Sequence, residues 1–311
     1  NLCSEITLAT DNERTAVCCL SSVNLEYFDD WKQHPAFIPD IIRMLDNVLT
    51  SFIDKAPPQL YKAKFSAMRE RSLGLGAMGF HAYLQKNNIP FESASATGAN
   101  LKMFSHIKEQ AVETTRKLAV TKGACPDDDS CRVRNAHLLA IAPNASSSII
   151  CGNTSPSIEP FRANAFNQKT KSGSNLHQNK FLKEVLKQYE NDTEETWKSI
   201  VTNKGSVQHL NFLSEWEKDV FKTAVEINQA WLIDHAAHRQ EYICQSQSLN
   251  LFFPPDVNKA DLHNVHMLAW ARNLKTLYYL RSEAISRADV VSDLVKREII
   301  FELEDCLACE G

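Results

Sequence analysis

A surplus of basic residues is the first thing this sequence lacks. Its 34 Lys and Arg stand against 38 Asp and Glu, a net charge of −4, so a phosphate-backbone partner such as DNA or RNA is not suggested. A nucleotide, which needs only a local anion site, stays open. No apolar run approaches the ~20 residues of a membrane span, and no secretory leader precedes Asn1, which together predict a soluble, cytoplasmic protein. Only one C-x-x-C is present, Cys306-Leu307-Ala308-Cys309, whereas a structural zinc site needs four ligands. The nine cysteines are odd in number, which argues against a complete disulfide framework and for reduced thiols. There is no initiator Met, no internal repeat and no clear linker. A chemically loaded motif at the first residue predicts further sequence upstream.

What is present fits one large α/β unit with a sizeable core: 311 residues, 43% apolar and 23% charged. Residues 16–23 (AVCCLSSV) form a short β-prone run. Residues 40–54 carry Ile41, Ile42, Leu45, Val48, Leu49 and Phe52 at helical spacing, and residues 100–120 repeat the pattern with Phe104, Ile107, Ala111 and Leu118. The run HLLAIA at 137–142, stopped by Pro143, reads as a buried parallel strand. Residues 218–242 read as one long helix, 246–253 and 276–280 as strands, and 262–273 as a helix before the last strand. Strands separated by helices imply a parallel sheet with right-handed crossovers. Residues 163–180, rich in Asn, Ser, Lys and Gln, read as an exposed irregular insertion. The main domain is expected over residues 1–285, with a mobile, dithiol-bearing tail over 286–311.

Several motifs carry chemistry. Asn1, Cys3 and Glu5 alternate, so in an extended segment amide, thiol and carboxylate share one face and together suit a small polyhydroxyl ligand. Gly74-Leu75-Gly76-Ala77-Met78-Gly79 matches G-x-G-x-x-G, but the charged residues 62–71 ahead of it are not the strand that a dinucleotide fingerprint requires, and tight helix packing is the better reading of its glycines. His235-x-x-His238 and His263-x-x-His266 lack a third ligand in register, and Cys125 and Cys131 flank an Asp-rich turn at no familiar ligand spacing. Asn144-Ala145-Ser146-Ser147-Ser148, between an apolar strand and a helix start, offers backbone N–H and hydroxyl donors that suit a phosphate; a plain helix cap is the alternative. Tyr278 and Tyr279 either pack in a strand or stack at a bend and pass a redox equivalent. The terminal Cys306 and Cys309 suit thiol–disulfide exchange.

Taken in order, NLCSE, AVCCLSSVNL, PNASSS running to Ser157-Ile158-Glu159-Pro160, YICQSQSLNLFF, LKTLYYLRS and the terminal C-x-x-C resemble the second half of the large chain of class I aerobic ribonucleotide reductase. The resemblance covers essentially the whole sequence. It implies an α/β fold, the second half of a ten-stranded α/β barrel, with a radical-cysteine finger loop at the N-terminus of this chain. It also implies a radical-based reduction of ribonucleoside diphosphates to deoxyribonucleoside diphosphates for DNA synthesis.

Residue by residue, the resemblance makes Cys3 the thiyl-radical cysteine that takes the 3′-hydrogen, with Asn1 and Glu5 holding the ribose hydroxyls and Glu5 drawing the 3′-OH proton. Cys18 matches one of two thiols that reduce the 2′ position and end as a disulfide; Cys19 stands where the family usually has a non-thiol residue. Asn144 to Ser148 match the diphosphate loop, Tyr278 and Tyr279 the radical relay, and Cys306 and Cys309 the tail dithiol recharged by thioredoxin or glutaredoxin. No cofactor or metal is expected on this chain itself, since the radical comes from a metal-containing small subunit. The partners implied are that radical-generating subunit, an upstream half of the large chain carrying the second thiol, and nucleoside triphosphate effectors bound by that half. No membrane or nucleic acid is expected. No glycyl-radical motif of anaerobic reductases is present, adenosylcobalamin-dependent reductases would not need TLYY, and a nicotinamide dehydrogenase would rest on GLGAMG alone. The non-enzyme alternative is an inert half-barrel that serves as an assembly or binding module.

Overall fold

The computed structural model describes residues 3–170 and 173–282. Asn1, Cys306 and Cys309, and with them the tail expected over 286–311, lie outside the described residues.

Five parallel staves run in sequence order. Strand β1 (Cys19–Asn24) pairs with β2 (Leu73–Met78) in parallel, from Cys19 opposite Leu73 to Asn24 opposite Met78. Leu75 bridges Leu139, and Ile141 bridges Gln247, again in parallel. The same segment continues into β5 (Leu251–Phe252), which pairs in parallel with β6 (Leu280–Arg281). This ladder of parallel staves with helices between them is the expected half-barrel, and the runs read at 16–23, 137–142, 246–253 and 276–280 all contribute to it.

The helices follow their apolar spacing. Helix Phe37–Lys55 buries Ile38, Ile42, Leu45, Leu49 and Ile53 along one stripe, and helix Ala94–Lys122, capped by Ser93 accepting from the Ala96 N–H, buries Met103, Phe104, Ile107, Ala111 and Leu118. Both stripes join the main core, which also holds Leu73, Leu75, Leu139, Ile141, Leu249 and Leu251 from the staves. Burying apolar surface on both faces is what a parallel sheet requires.

Three expectations need correction. The single helix over 218–242 is two, Glu215–Val220 and Gln229–Gln240. The break is made by polar groups: Glu226 accepts from both the N–H and the hydroxyl of Thr223, and Asn228 caps the second helix through the Ala230 N–H. Apolar spacing alone does not register such a local competition for backbone donors. The stretch 163–180 is a β-hairpin, β3 (Ala165–Thr170) antiparallel to β4 (Gly173–Gln178). It belongs to a second, smaller core in which Ala165 joins Leu182, Leu186, Trp197, Ile200 and Phe221. Finally, GLGAMG is neither a fingerprint loop nor a helix-packing motif: its first five residues are strand β2 itself.

Among the described residues no three His, Cys, Asp or Glu side chains gather as a metal set, and no helix is long and apolar enough to cross a membrane. His235 is buried, its Nε2 2.9 Å from the Phe91 carbonyl, and His263 and His266 are exposed. Cys125 is buried and Cys131 exposed; the acidic run between them makes a turn, with the Asp128 carboxylate accepting the N–H groups of Ser130, Arg132 and Val133.

Candidate active site

The site is built on the segment 245–248, whose Gln245 and Ser248 side chains meet the N-terminal residues while Ser246 meets Thr276. The N-terminal residues lie along it. The Ser4 N–H donates to Ser248 Oγ (3.0 Å), the Ser248 hydroxyl donates to Glu5 Oε2 (2.6 Å), and the Ser246 N–H donates to the Glu5 carbonyl (2.9 Å). Glu5 is buried, at 3% exposure, with one carboxyl oxygen satisfied by a hydroxyl, as a buried polar group requires. Cys3, just before it, is half-buried.

Cys18 approaches from β1. Gln245 Nε2 donates to its sulfur at 3.3 Å and to the Leu73 carbonyl at 3.0 Å, while Gln245 Oε1 accepts the Thr7 N–H at 3.3 Å. The thiol has room because β2 carries glycine beside it: a Cβ on Gly74, which pairs with Leu20, would stand 2.9 Å from Cys18 Sγ, and one on Gly76 3.2 Å from Ser22 Oγ. The two glycines thus form a floor under Cys18, Leu20 and Ser22. Burial pushes the Cys18 thiol up to about 12, against the pull of the Gln245 N–H. Cys19, its neighbour, takes the opposite face, where burial raises its pKa and Arg71, ion-paired to Asp46 at 2.7 Å, pulls it down. Of the two adjacent thiols, Cys18 is the one that faces Glu5 and Gln245.

Ser22, two residues further along the same face as Leu20, is tied to the second motif. Asn144 Nδ2 donates to Ser22 Oγ (2.8 Å) and to the Ala142 carbonyl (3.0 Å). These bonds hold Asn144 in the left-handed region, φ 55°, at the head of the short helix Ala145–Ile150, a conformation asparagine tolerates better than most residues. The Ser148 hydroxyl turns back to the Ala145 carbonyl (2.8 Å) and is buried, whereas Ser147 is exposed. The loop is therefore fixed to the same floor as Cys18, with Ser147 directed outward.

The tyrosine pair closes the arrangement. Tyr278 and Tyr279 precede β6, and their ring centroids lie 4.0 Å apart at 38°. Adjacent side chains of a regular strand could not do this. The two tyrosines lie just outside the regular strand, with the Tyr278 N–H on the Leu249 carbonyl (2.8 Å) and the Tyr279 N–H on Asn250 Oδ1 (3.1 Å). The Tyr278 hydroxyl is buried. Burial first, and then the adjoining Cys3 thiol and Tyr279 phenol, raise its pKa, although no neighbour reaches full hydrogen-bonding geometry with it. Tyr279 is 38% exposed, and the Arg281 guanidinium sits over its ring at 4.7 Å. The pair thus runs from the surface to Cys3.

Behind Asn250 lies Glu159, 2% exposed and accepting the Asn250 N–H at 3.3 Å. Burial pushes its carboxyl up to about 7, against Arg162 and the Asn250 bonds. A folded-state pKa above the unfolded value means that the native state holds the proton more tightly. Stability is then full below about 4.5 and is lost as pH rises toward about 7. Glu159→Gln should accordingly raise the melting temperature at pH 8 by the equivalent of about 3 kcal/mol, with the gain fading by pH 4.5. Thermal melts of both proteins across that range provide the check; a gain that does not depend on pH would deny the carboxyl this role.

Sequence reasoning does not single out Gln245, Ser248 or Ser22, and it reads the floor glycines as a helix-packing motif. Alternation in QSQS was the available signal, but which side chain meets which partner depends on how the staves are ordered.

The chain matches the family model described as the ribonucleotide reductase barrel domain over residues 1–131 and 129–280. It is 54% identical over 294 residues to the ribonucleoside-diphosphate reductase large subunit of Invertebrate iridescent virus 6, covering 93% of this chain and 31% of that protein. It is 49% identical to the large subunit of Invertebrate iridescent virus 3, covering 100% of this chain and 50% of that protein. Among solved structures it resembles the class Id ribonucleotide reductase alpha subunit of Actinobacillus ureae, with a TM-score of 0.85 and 42% identity, covering 90% of this chain and 52% of that one. The chain thus spans about a third to a half of the length of these relatives.

Proposed function

This chain belongs to the ribonucleotide reductase barrel-domain family, and we propose that it is the catalytic C-terminal half of a ribonucleoside-diphosphate reductase large subunit. The observation that carries the reading is the convergence of Cys3, Glu5, Cys18 and Tyr278 on the segment 245–249, four groups drawn from three distant parts of the sequence. In this reading Cys3 is the thiyl-radical residue that removes the 3′-hydrogen of the substrate. Glu5, with Asn1, holds the ribose hydroxyls and accepts the 3′-OH proton. Cys18, with a second thiol from an upstream half, supplies the two electrons that reduce the 2′ position, and the pair ends as a disulfide. Asn144 to Ser148 hold the diphosphate. Tyr279 and Tyr278 carry the oxidising equivalent inward from a metal-containing, radical-generating small subunit. Cys306 and Cys309 return the disulfide to thiols and are themselves recharged by thioredoxin or glutaredoxin. Nucleoside triphosphate effectors act through the upstream half.

What supports the need for an upstream half is the second thiol, together with β1, which among the described residues pairs along one edge only and carries Leu20 44% exposed. The test is an omission assay of labelled deoxycytidine diphosphate formed by this chain, an upstream large-chain half and the small subunit. Product is expected only when all three are present. Turnover by this chain and the small subunit alone would overturn the assignment of the missing thiol; no product from the full mixture would favour the inert half-barrel.

A further inference from the structure

Gln245 has both amide hydrogens and its amide oxygen engaged at the centre of the site. Its residue is fully buried, at 0% exposure, and its backbone N–H is fixed to the Leu139 carbonyl at 3.2 Å. The amide orientation is set by two partners of unambiguous character: the Leu73 carbonyl can only accept, and the Thr7 N–H can only donate. With Nε2 and Oε1 so placed, the remaining amide hydrogen points at Cys18 Sγ, 3.3 Å away. One planar group therefore touches β1, β2 and the segment that carries Cys3 and Glu5.

We propose that Gln245 is a positioning residue that fastens the Cys18 thiol to the Cys3–Glu5 segment, so that the reductive thiol and the radical cysteine meet substrate as one rigid unit. The proposal rests on the reading of Cys18 as the reductive thiol. Sulfur is a weak acceptor, so an N–H aimed at a buried thiol contributes little while the thiol is neutral and much more when it carries charge. The same bond that orients Cys18 therefore also favours its thiolate, the form that takes part in exchange with a second thiol. Gly74 completes the device, since a Cβ there would stand 2.9 Å from the sulfur that Gln245 holds.

The experiment measures alkylation of Cys18 and Cys19 separately, by peptide mass spectrometry on this chain, from about pH 8 to about pH 11 in wild type, Gln245→Met and Gln245→Glu. Met keeps the length and removes both polar atoms. Glu keeps an acceptor for Thr7 but loses the donors to both sulfur and the Leu73 carbonyl. It also adds a carboxylate that itself moves the Cys18 profile upward, so Met is the diagnostic variant and an unmoved profile in Glu is the stricter refutation. Losing a hydrogen bond to a charged group should slow Cys18 alkylation about tenfold at a given pH, with its profile moved upward in both variants. Cys19, on the other face of β1, should stay within about twofold of wild type. A Cys18 profile that does not move, or one that moves together with that of Cys19, overturns the clamp.

The same variants in the assembled reductase, beside Cys18→Ser, separate the two layers of the argument. Sustained turnover in Cys18→Ser would overturn the reading of Cys18 itself. Arrested turnover in Cys18→Ser, with wild-type rate and an unmoved thiol profile in Gln245→Glu, would overturn the clamp alone.

Discussion

Cys3→Ser should reduce deoxyribonucleotide formation by the assembled enzyme to background while leaving the fold intact. Serine matches cysteine in shape, and the backbone around position 3 is held by groups the substitution does not touch: the Ser4 N–H on Ser248, the Ser248 hydroxyl on Glu5, and the Ser246 N–H on the Glu5 carbonyl. What changes is the bond that must be opened. A thiyl radical can take a carbon-bound hydrogen and return it, whereas an alcohol O–H is too strong for a phenol-based relay to break. Product counts by chromatography, beside circular dichroism and a thermal melt of the variant, decide the matter. Sustained multiple turnover in Cys3→Ser would remove Cys3 from the radical role and with it the reason for a relay ending there. The contrast with Cys18→Ser is informative, since that variant should stop turnover yet still let substrate be attacked, only the reductive electrons being absent.

Much of this arrangement was legible in the linear sequence, for physical reasons that can be named. HLLAIA announced a buried stave because a parallel strand covered on both faces has no polar alternate positions. The helices 37–55 and 94–122 announced themselves through apolar spacing that persists over several turns, where local competition is weak. The motif NLCSE stood out because amide, thiol and carboxylate alternate, and its Ser4 and Glu5 do lie against the segment 246–248. Legibility failed where a partner far along the chain decides the outcome. Gly74 and Gly76 suggested a helix-packing motif because their role, making room for Cys18 and Ser22 on a neighbouring stave, is set by register with residues more than 50 positions away. The break between Val220 and Gln229 was hidden because its apolar residues, Phe221, Ala224 and Ile227, keep helical spacing while remaining buried outside a helix. The hairpin at 165–178 was masked by its polar composition; among the described residues Ala165 joins its helix neighbours in a core. Adjacent tyrosines carried an ambiguity between strand packing and stacking, and the hydrogen bonds that hold them come from residues 249 and 250, some thirty positions upstream.

Tyr278→Phe should abolish steady-state turnover as completely as Cys3→Ser does, by a different route. Phenylalanine keeps the ring that packs 4.0 Å from Tyr279, so the fold and the partner ring stay in place. The hydroxyl it removes is buried beside Cys3 without a full hydrogen bond, so stability should fall by less than about 1 kcal/mol and the melting temperature by a few degrees at most. The redox consequence is large because the hydroxyl makes a tyrosine oxidisable at a moderate potential. Burial raises the pKa of that hydroxyl, with Cys3 and Tyr279 adding to the effect, so an electron cannot leave Tyr278 far ahead of its proton. The proton needs an acceptor in contact, and the neighbouring Tyr279 phenol and Cys3 thiol are placed to exchange it. Without the hydroxyl neither the proton nor the hole has a path, and the equivalent should stop at Tyr279. Steady-state product formation, measured beside the lifetime of the small-subunit radical in the presence of substrate and effector, gives the test: the radical should persist and product should be absent. Product at even a tenth of the wild-type rate in Tyr278→Phe would show that the equivalent reaches Cys3 by another route, and would leave the stacked pair with packing as its only role.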